Sequence, residues 1–416
     1  MALSTRHEGI QALLDEGRPE QALSEARELL RARPDLRATA LLAASAAAAT
    51  GRAEEIGVEF ERLATTFPGD PSAHSAAERL VQTSREAASA AATRLVQIAP
   101  EHPVVARLLC EQAIKAGDHA AARATGAKGL ASEPVTTSHT VLAHQLLHLG
   151  LRSEVTDWIA EVEARPEPFA NARAAEVFEV FSEQQKKIAQ SGSLRLHRAE
   201  EGRAVLFVFS GLRNRPGMSE EALLAALDGL PVHVAILRDP DLLMYMGGVP
   251  DLGAGVEATA GAMRALAEEL GVETILTFGV SGGGYAALVY ADAVDAQAVL
   301  GDSALTIMTE ESMRRDGRAG AVADRMLAET PDQLRDMREV LLARREPIRV
   351  ELLYGAEMAI DRAYAERMAD VPGVRLRPFL KLSGHPVASQ ITGEEARDLL
   401  RDFVGRAIGE GLEPSA

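Results

Sequence analysis

A glycine opening a short polar turn recurs along the first half of the chain at Gly17, Gly51, Gly117 and Gly150. Ser84 fills the remaining slot, so the steps run 34, 33, 33 and 33 residues. A proline follows each turn at a nearly fixed distance, as Pro34, Pro68, Pro100, Pro134 and the pair Pro166 and Pro168. Glycine ends a helix by taking a left-handed conformation, and proline ends one because it can neither donate to the helix nor fit inside it. The two registers therefore predict helical hairpins, five in succession. Units of this size become stable by stacking on one another.

The period, with the segments EGRPEQAL, TGRAEEI and AGDHAAA, resembles the tetratricopeptide repeat over residues 3–170. Ala22 and Ala122 fall where close helix contact needs a small side chain, while Ile56 and Val155 occupy the same slot in other units. NARAAEVFEVFSEQQKKIAQ at 171–190 reads as a polar-faced helix closing the stack. The resemblance implies a concave surface that grips a peptide or partner protein, or else a scaffold packing on the second domain. His144 and His148, four apart on one helical face, have a spacing that can bind metal. No neighbouring Asp or Glu completes a ligand set, so they read as surface or packing histidines, and no metal or cofactor is expected.

Charge narrows the partners. Residues 1–200 carry 22 Lys and Arg against 27 Asp and Glu, and residues 201–416 carry 22 against 34. Nucleic acid and anionic membrane surfaces both require clustered cations, and neither half supplies them. The single cysteine, Cys110, excludes an intrachain disulfide and a cysteine-based zinc site, and reads as a small buried hydrophobe. With no leader pattern at MALSTRHEGIQ and a longest small-apolar run of LLAASAAAA at 41–49, about half of a membrane span, a cytoplasmic protein is expected.

After residue 202 the period changes. Apolar runs at 204–210, 232–238, 272–280, 296–304, 348–355 and 374–382 alternate with amphipathic segments. Such runs predict a doubly wound, mostly parallel sheet covered by helices on both faces, with chemistry at the carboxyl ends of its strands. The expected division is a helical repeat domain at 1–190, a polar linker or edge segment at 191–202, and an α/β domain at 203–416. The helical stretch 305–345 is longer than a crossover needs and is either a lid or an ordinary excursion.

LTFGVSGGGYAAL places Gly279, Ser281 and Gly283 as G-x-S-x-G between a predicted strand and helix. There a serine sits on a sharp turn whose flanking glycines remove colliding Cβ atoms. Motif and context resemble the α/β-hydrolase family over residues 203–410. The resemblance implies Ser281 as nucleophile of a serine hydrolase acting on an ester, thioester or amide. Only His233 and His385 follow residue 201. His233 lies mid-strand, and His385, in the loop after the last strand, is where the family carries its base. The family commonly places its acid three residues after the glycine ending the penultimate strand, where this chain has Met358. Asp361 in the same loop, Asp302 at the end of the preceding strand, and Glu357 are the alternatives.

The family's oxyanion donors map onto the backbone amides of Gly282 and Leu212. Arg238, Met244 and Tyr245, in RDPDLLMYMGGVPD, are candidates for substrate binding or for contact with the repeats. GDSAL at 301–305 offers Ser303 as a rival nucleophile. It stands mid-domain, and Leu382 occupies the place of the aspartate that the GDSL-type esterases carry three before their histidine. Two further readings stay open: a non-catalytic adaptor with a hydrolase-like domain, motivated by Met358, and an acyltransferase using the same residues.

Overall fold

The glycines and prolines of the period stand at helix ends in the computed structural model, which describes residues 3–212, 214–316, 321–391 and 393–409. Gly17, Gly51, Gly117 and Gly150 all have positive φ, between 66° and 81°. They separate the helices of five hairpins. These are α1 (Leu3–Asp15) with α2 (Pro19–Ala32), α3 (Arg37–Thr50) with α4 (Ala53–Thr66), and α5 (Pro71–Thr83) with α6 (Arg85–Leu95). The series continues with α7 (Pro103–Lys115) and α8 (His119–Leu130), then α9 (Thr137–His148) and α10 (Arg152–Ala164). Ser84, lacking glycine's freedom, stays extended at φ −147° and caps α6 by accepting the Ala87 N–H. The chain divides into two compact units, with the boundary between Gln185 and Lys186, inside α11 (Ala172–Ser191).

Alanine and leucine at helical spacing fill the core of the first unit. Ala22, Ile56, Ala122 and Val155, the four residues of the shared slot, are all buried. Ion pairs about one period apart latch successive hairpins: Arg27 holds Glu59 at 2.7 Å, and Arg37 holds Asp70 at 2.6 Å. His144 meets Phe181 edge-on, with ring centroids 4.7 Å apart, so it packs. Among the described residues no group of three His, Cys, Asp or Glu could hold a metal ion, and no helix is long and apolar enough to cross a membrane.

The second unit is a seven-stranded sheet. Its strands are β1 (Leu194–His197), β2 (Ala204–Phe209), β3 (Val232–Leu237), β6 (Thr274–Val280), β7 (Ala298–Asp302), β8 (Arg349–Gly355) and β9 (Val374–Phe379). A separate hairpin pairs β4 (Gly248–Val249) with β5 (Gly253–Ala254). The sheet order is β1-β3-β2-β6-β7-β8-β9, antiparallel only between β1 and β3. Residues 191–202 therefore carry the edge strand β1. Alternate residues of β2 serve opposite faces. Val205, Phe207 and Phe209 join a core with α13 (Gly255–Glu269) and α14 (Gly282–Val294). Ala204, Leu206 and Val208 join the other, with α12 (Glu220–Leu227) and α19 (Gly393–Ile408). Winding reverses between β2 and β6, which opens a crevice at the carboxyl ends of those strands.

Residues 317–320 of the 305–345 stretch lie outside the described residues. The remainder includes α15 (Glu310–Asp316), α16 (Ala321–Glu329) and α17 (Met337–Leu342). Tyr285 of α14 donates its hydroxyl to the Arg335 carbonyl and accepts the Arg335 N–H, at 3.1 and 2.8 Å. The Thr306 hydroxyl donates to the Tyr364 carbonyl of α18 (Ala359–Glu366) at 2.7 Å, and Arg367 grips both carboxylate oxygens of Asp336. These bonds tie the described part of the stretch to α14 and to the end of α18.

Candidate active site

Ser281 sits between β6 and α14 at φ 57° and ψ −120°, a conformation that side-chain-bearing residues resist. The neighbouring glycines make the turn sterically feasible. A Cβ on Gly279 would stand 2.0 Å from the Gly283 carbonyl oxygen, and one on Gly283 would stand 2.3 Å from that of Phe209. Both obstacles are backbone and cannot swing aside. The turn is fixed further by the Ser281 N–H, which donates to the Asp302 carbonyl at 2.8 Å.

His385 reaches this serine from the loop after β9. Its Nε2 is 2.8 Å from Ser281 Oγ, and its Nδ1 is 2.7 Å from Asp361 Oδ2. An ionised carboxylate can only accept, so Nδ1 carries the proton and Nε2 is left to accept from the serine hydroxyl. The Asp361 side chain is fully buried, and that of His385 is 25% exposed. Asp361 lies in the first turn of α18, which Met358 caps from outside the helix. The residue at the family's usual acid position thus precedes the helix, and the carboxylate comes from one turn inside it.

Asp302 is equally buried, but its carboxylate accepts the backbone N–H groups of Val387 and Ala388 at 2.9 and 2.8 Å and the Ser303 hydroxyl at 3.1 Å. Burial pushes Asp302 up to about 6, against the lowering effect of those hydrogen bonds and of nearby His385. Ser303 is buried and donates to that carboxylate rather than to a histidine. His233 is buried mid-strand, with its Nδ1 accepting the Ala199 N–H at 3.1 Å. Glu357 donates its backbone N–H to the Leu382 carbonyl at 3.1 Å.

Gly211 brings the loop after β2 against the serine, since a Cβ on Gly211 would lie 3.9 Å from Ser281 Cβ. Leu212 follows it. Among the described residues, neither the Gly282 nor the Leu212 amide donates to a backbone carbonyl in a turn, loop or cap. Asn214 secures the same loop: its N–H donates to the Gly211 carbonyl at 2.7 Å, and its side-chain oxygen accepts the Asp239 N–H at 2.8 Å. Sequence reasoning passed over Asn214, and only its φ of 52°, a conformation asparagine tolerates, marks it.

Of the three substrate-binding candidates, Arg238 and Tyr245 are held by partners within the protein. Arg238 is buried and paired with Glu220. Tyr245 is buried too, its hydroxyl donating to the carbonyls of Leu237 and Ser210 at 2.9 and 3.1 Å. The buried Asp239 carboxylate accepts the Tyr245 N–H at 3.0 Å, folding the loop inward through positive-φ residues Leu242, Met244 and Tyr245. Burial raises that carboxyl to about 6. Met244 is the member beside the site: a Cβ on Gly282 would lie 3.0 Å from its Cγ and Sδ.

Strand order, the antiparallel edge strand and the serine turn after β6 define an α/β-hydrolase-type domain. No family model and no curated protein matches the chain. Among solved structures, the C-terminal half is similar to α/β hydrolases. An α/β hydrolase enzyme from the metagenome of Mar Chica lagoon sediments, Morocco, is 19% identical, covering 52% of this chain and 97% of its own, with a TM-score of 0.37. A structure described with the carboxylesterases of Nitrososphaera gargenis is 12% identical, covering 53% and 95%, with a TM-score of 0.40. The proline iminopeptidase-related protein of Thermus thermophilus is 14% identical, covering 52% and 94%, with a TM-score of 0.36. The domain's class rests on its own topology.

Proposed function

We propose that the protein is a serine hydrolase in which Ser281, His385 and Asp361 form a proton-transfer triad. The observation carrying this reading is the unbroken hydrogen-bond chain from Ser281 Oγ through His385 to Asp361, anchored on a strained strand-to-helix turn. His385 Nε2 takes the hydroxyl proton as Oγ attacks an ester, thioester or amide carbonyl, and the N–H groups of Gly282 and Leu212 face the developing oxyanion. The imidazolium, held by Asp361, returns the proton to the leaving group. Water, deprotonated by the same nitrogen, attacks the acyl carbon, and the imidazolium returns that proton to Ser281 Oγ as the acyl–oxygen bond breaks; an acceptor other than water would make the same steps an acyl transfer.

The test is labelling with a fluorophosphonate. Wild type should be modified at one serine and Ser281→Ala should not; equal labelling of both would remove Ser281 as the nucleophile. For the first unit we propose a role in holding a protein or peptide partner. An open groove of about 450 Å³, lined by His7, Gln11, Leu41, Leu42 and Ser45 of α1 and α3, supports it. Substituting Leu41 and Leu42 with Ser should weaken partner capture by the full chain while leaving fluorophosphonate labelling intact; unchanged capture would count against the groove.

A further inference from the structure

Asp302 has no step in the proton path, yet it touches the supports of two of its members. Its backbone carbonyl accepts the Ser281 N–H at 2.8 Å. Its carboxylate accepts the N–H groups of Val387 and Ala388 at 2.9 and 2.8 Å, the two residues that open a 3₁₀ turn (Val387–Ser389) just beyond His385. Only Pro386 lies between His385 and this anchored pair, and its ring removes most of the freedom of that link. A carboxylate excluded from water is costly unless its lone pairs are filled, and here two amides and the Ser303 hydroxyl fill them. Hydrogen bonds to an ionised acceptor are also the strong ones. With Asp361 already on Nδ1, the role left to Asp302 is geometric.

We propose that Asp302 is a positioning residue that sets the distance between Ser281 and His385, holding the nucleophile's amide with its carbonyl and the histidine's loop with its carboxylate. The proposal rests on the serine-hydrolase reading. It separates cleanly by mutation, because side-chain substitutions leave the backbone bond to Ser281 in place and remove only the clamp on the loop. Asn keeps one acceptor for the two amides, and Ala keeps none.

The experiment measures the maximal fluorophosphonate inactivation rate and the reversible affinity for the reagent, with thermal unfolding as a control, on full-length wild type, Asp302→Asn, Asp302→Ala and Ser281→Ala. Misplacing a reacting group by about 1 Å costs on the order of a hundredfold in rate. The maximal rate should therefore fall roughly tenfold to a hundredfold in Asp302→Ala and less in Asp302→Asn, with affinity unchanged. A wild-type rate in Asp302→Ala, with Ser281→Ala unlabelled, overturns the clamp and spares the serine reading. Labelling of Ser281→Ala at the wild-type rate overturns the serine reading itself. A fall in affinity and unfolding temperature with no fall in maximal rate assigns Asp302 a structural role only, and also overturns the clamp. Should Asp302→Ala fail to fold, Val387→Pro carries the test, since it deletes one donor and leaves the carboxylate in place. Slowed inactivation supports the clamp and an unchanged rate overturns it.

Discussion

Asp361 and Gly283 show how narrowly single residues are constrained at this site. On the proposed serine-hydrolase reading, Asp361 stabilises the imidazolium formed when His385 takes the serine proton, and it fixes the tautomer that leaves Nε2 free. In Asp361→Asn a side-chain amide can donate to Nδ1 and so favour the wrong tautomer. Turnover of an activated ester such as p-nitrophenyl acetate should fall roughly a thousandfold to ten-thousandfold, with little change in KM. A loss below tenfold would place the orienting charge elsewhere. Gly283→Ala acts sterically instead: its Cβ would enter the space of the Phe209 and Ser210 carbonyl oxygens, at 2.3 and 2.5 Å. Overpacking against side chains costs about 1–3 kcal/mol, and rigid backbone offers less relief. The variant should lose both fluorophosphonate labelling and several degrees of thermal stability, and full labelling at an unchanged unfolding temperature would refute this account.

At the scale of helices and strands, the hairpins depend on which ion pairs are shielded. Glu59 of α4 is fully buried between Arg27 and Arg62, at 2.7 and 2.9 Å. Truncating it removes the buried carboxylate shared by two partly exposed guanidinium groups, of which Arg27 keeps Glu55, and should cost about 1–3 kcal/mol. Glu28, 64% exposed opposite Arg6, should cost under about 1 kcal/mol. Urea unfolding of Glu59→Ala and Glu28→Ala measures the contrast, and equal effects would show that burial does not govern it. Elements were legible in the sequence where the chemistry is local. Helix turns need positive φ, so Gly17, Gly51, Gly117 and Gly150 announce them, and β2, β3 and β6 declare themselves as apolar runs. Which acid meets His385 is not local, because it depends on how the 384–388 loop crosses the ends of β7 and β8. The burial of Arg238 and Tyr245 is hidden from the sequence for a related reason: a loop at a strand's carboxyl end usually faces the crevice, but buried Asp239 pulls this one into the core.

Across the whole molecule, the most deeply buried titratable side chains of the two units respond to acid with opposite sign. In the first, burial lowers His74, takes His102 down to about 3 and takes His139 down to about 4. Neither ring nitrogen of His102 meets a protein partner among the described residues. In the unfolded chain these imidazoles protonate near pH 6.5, so below that pH the unfolded state binds more protons than the folded one. Stability is complete above about 6.5 and declines toward pH 4, by up to about 1.4 kcal/mol per pH unit for each histidine. In the second unit Asp239 and Asp302 are raised from 3.8 to about 6, so the folded state takes up their protons first and their burial penalty is relieved between pH 6 and 4. The first unit should therefore unfold at a higher pH than the second. Trp158 of α10 is the chain's single tryptophan, so its emission reports the first unit alone. On acidification its emission should shift red while far-ultraviolet circular dichroism retains the β-containing signal. His102→Leu should move the red shift to lower pH by removing one proton acceptor. Coincident transitions, or a midpoint unmoved in that variant, would mean that the buried histidines do not control the acid limit of the repeat array.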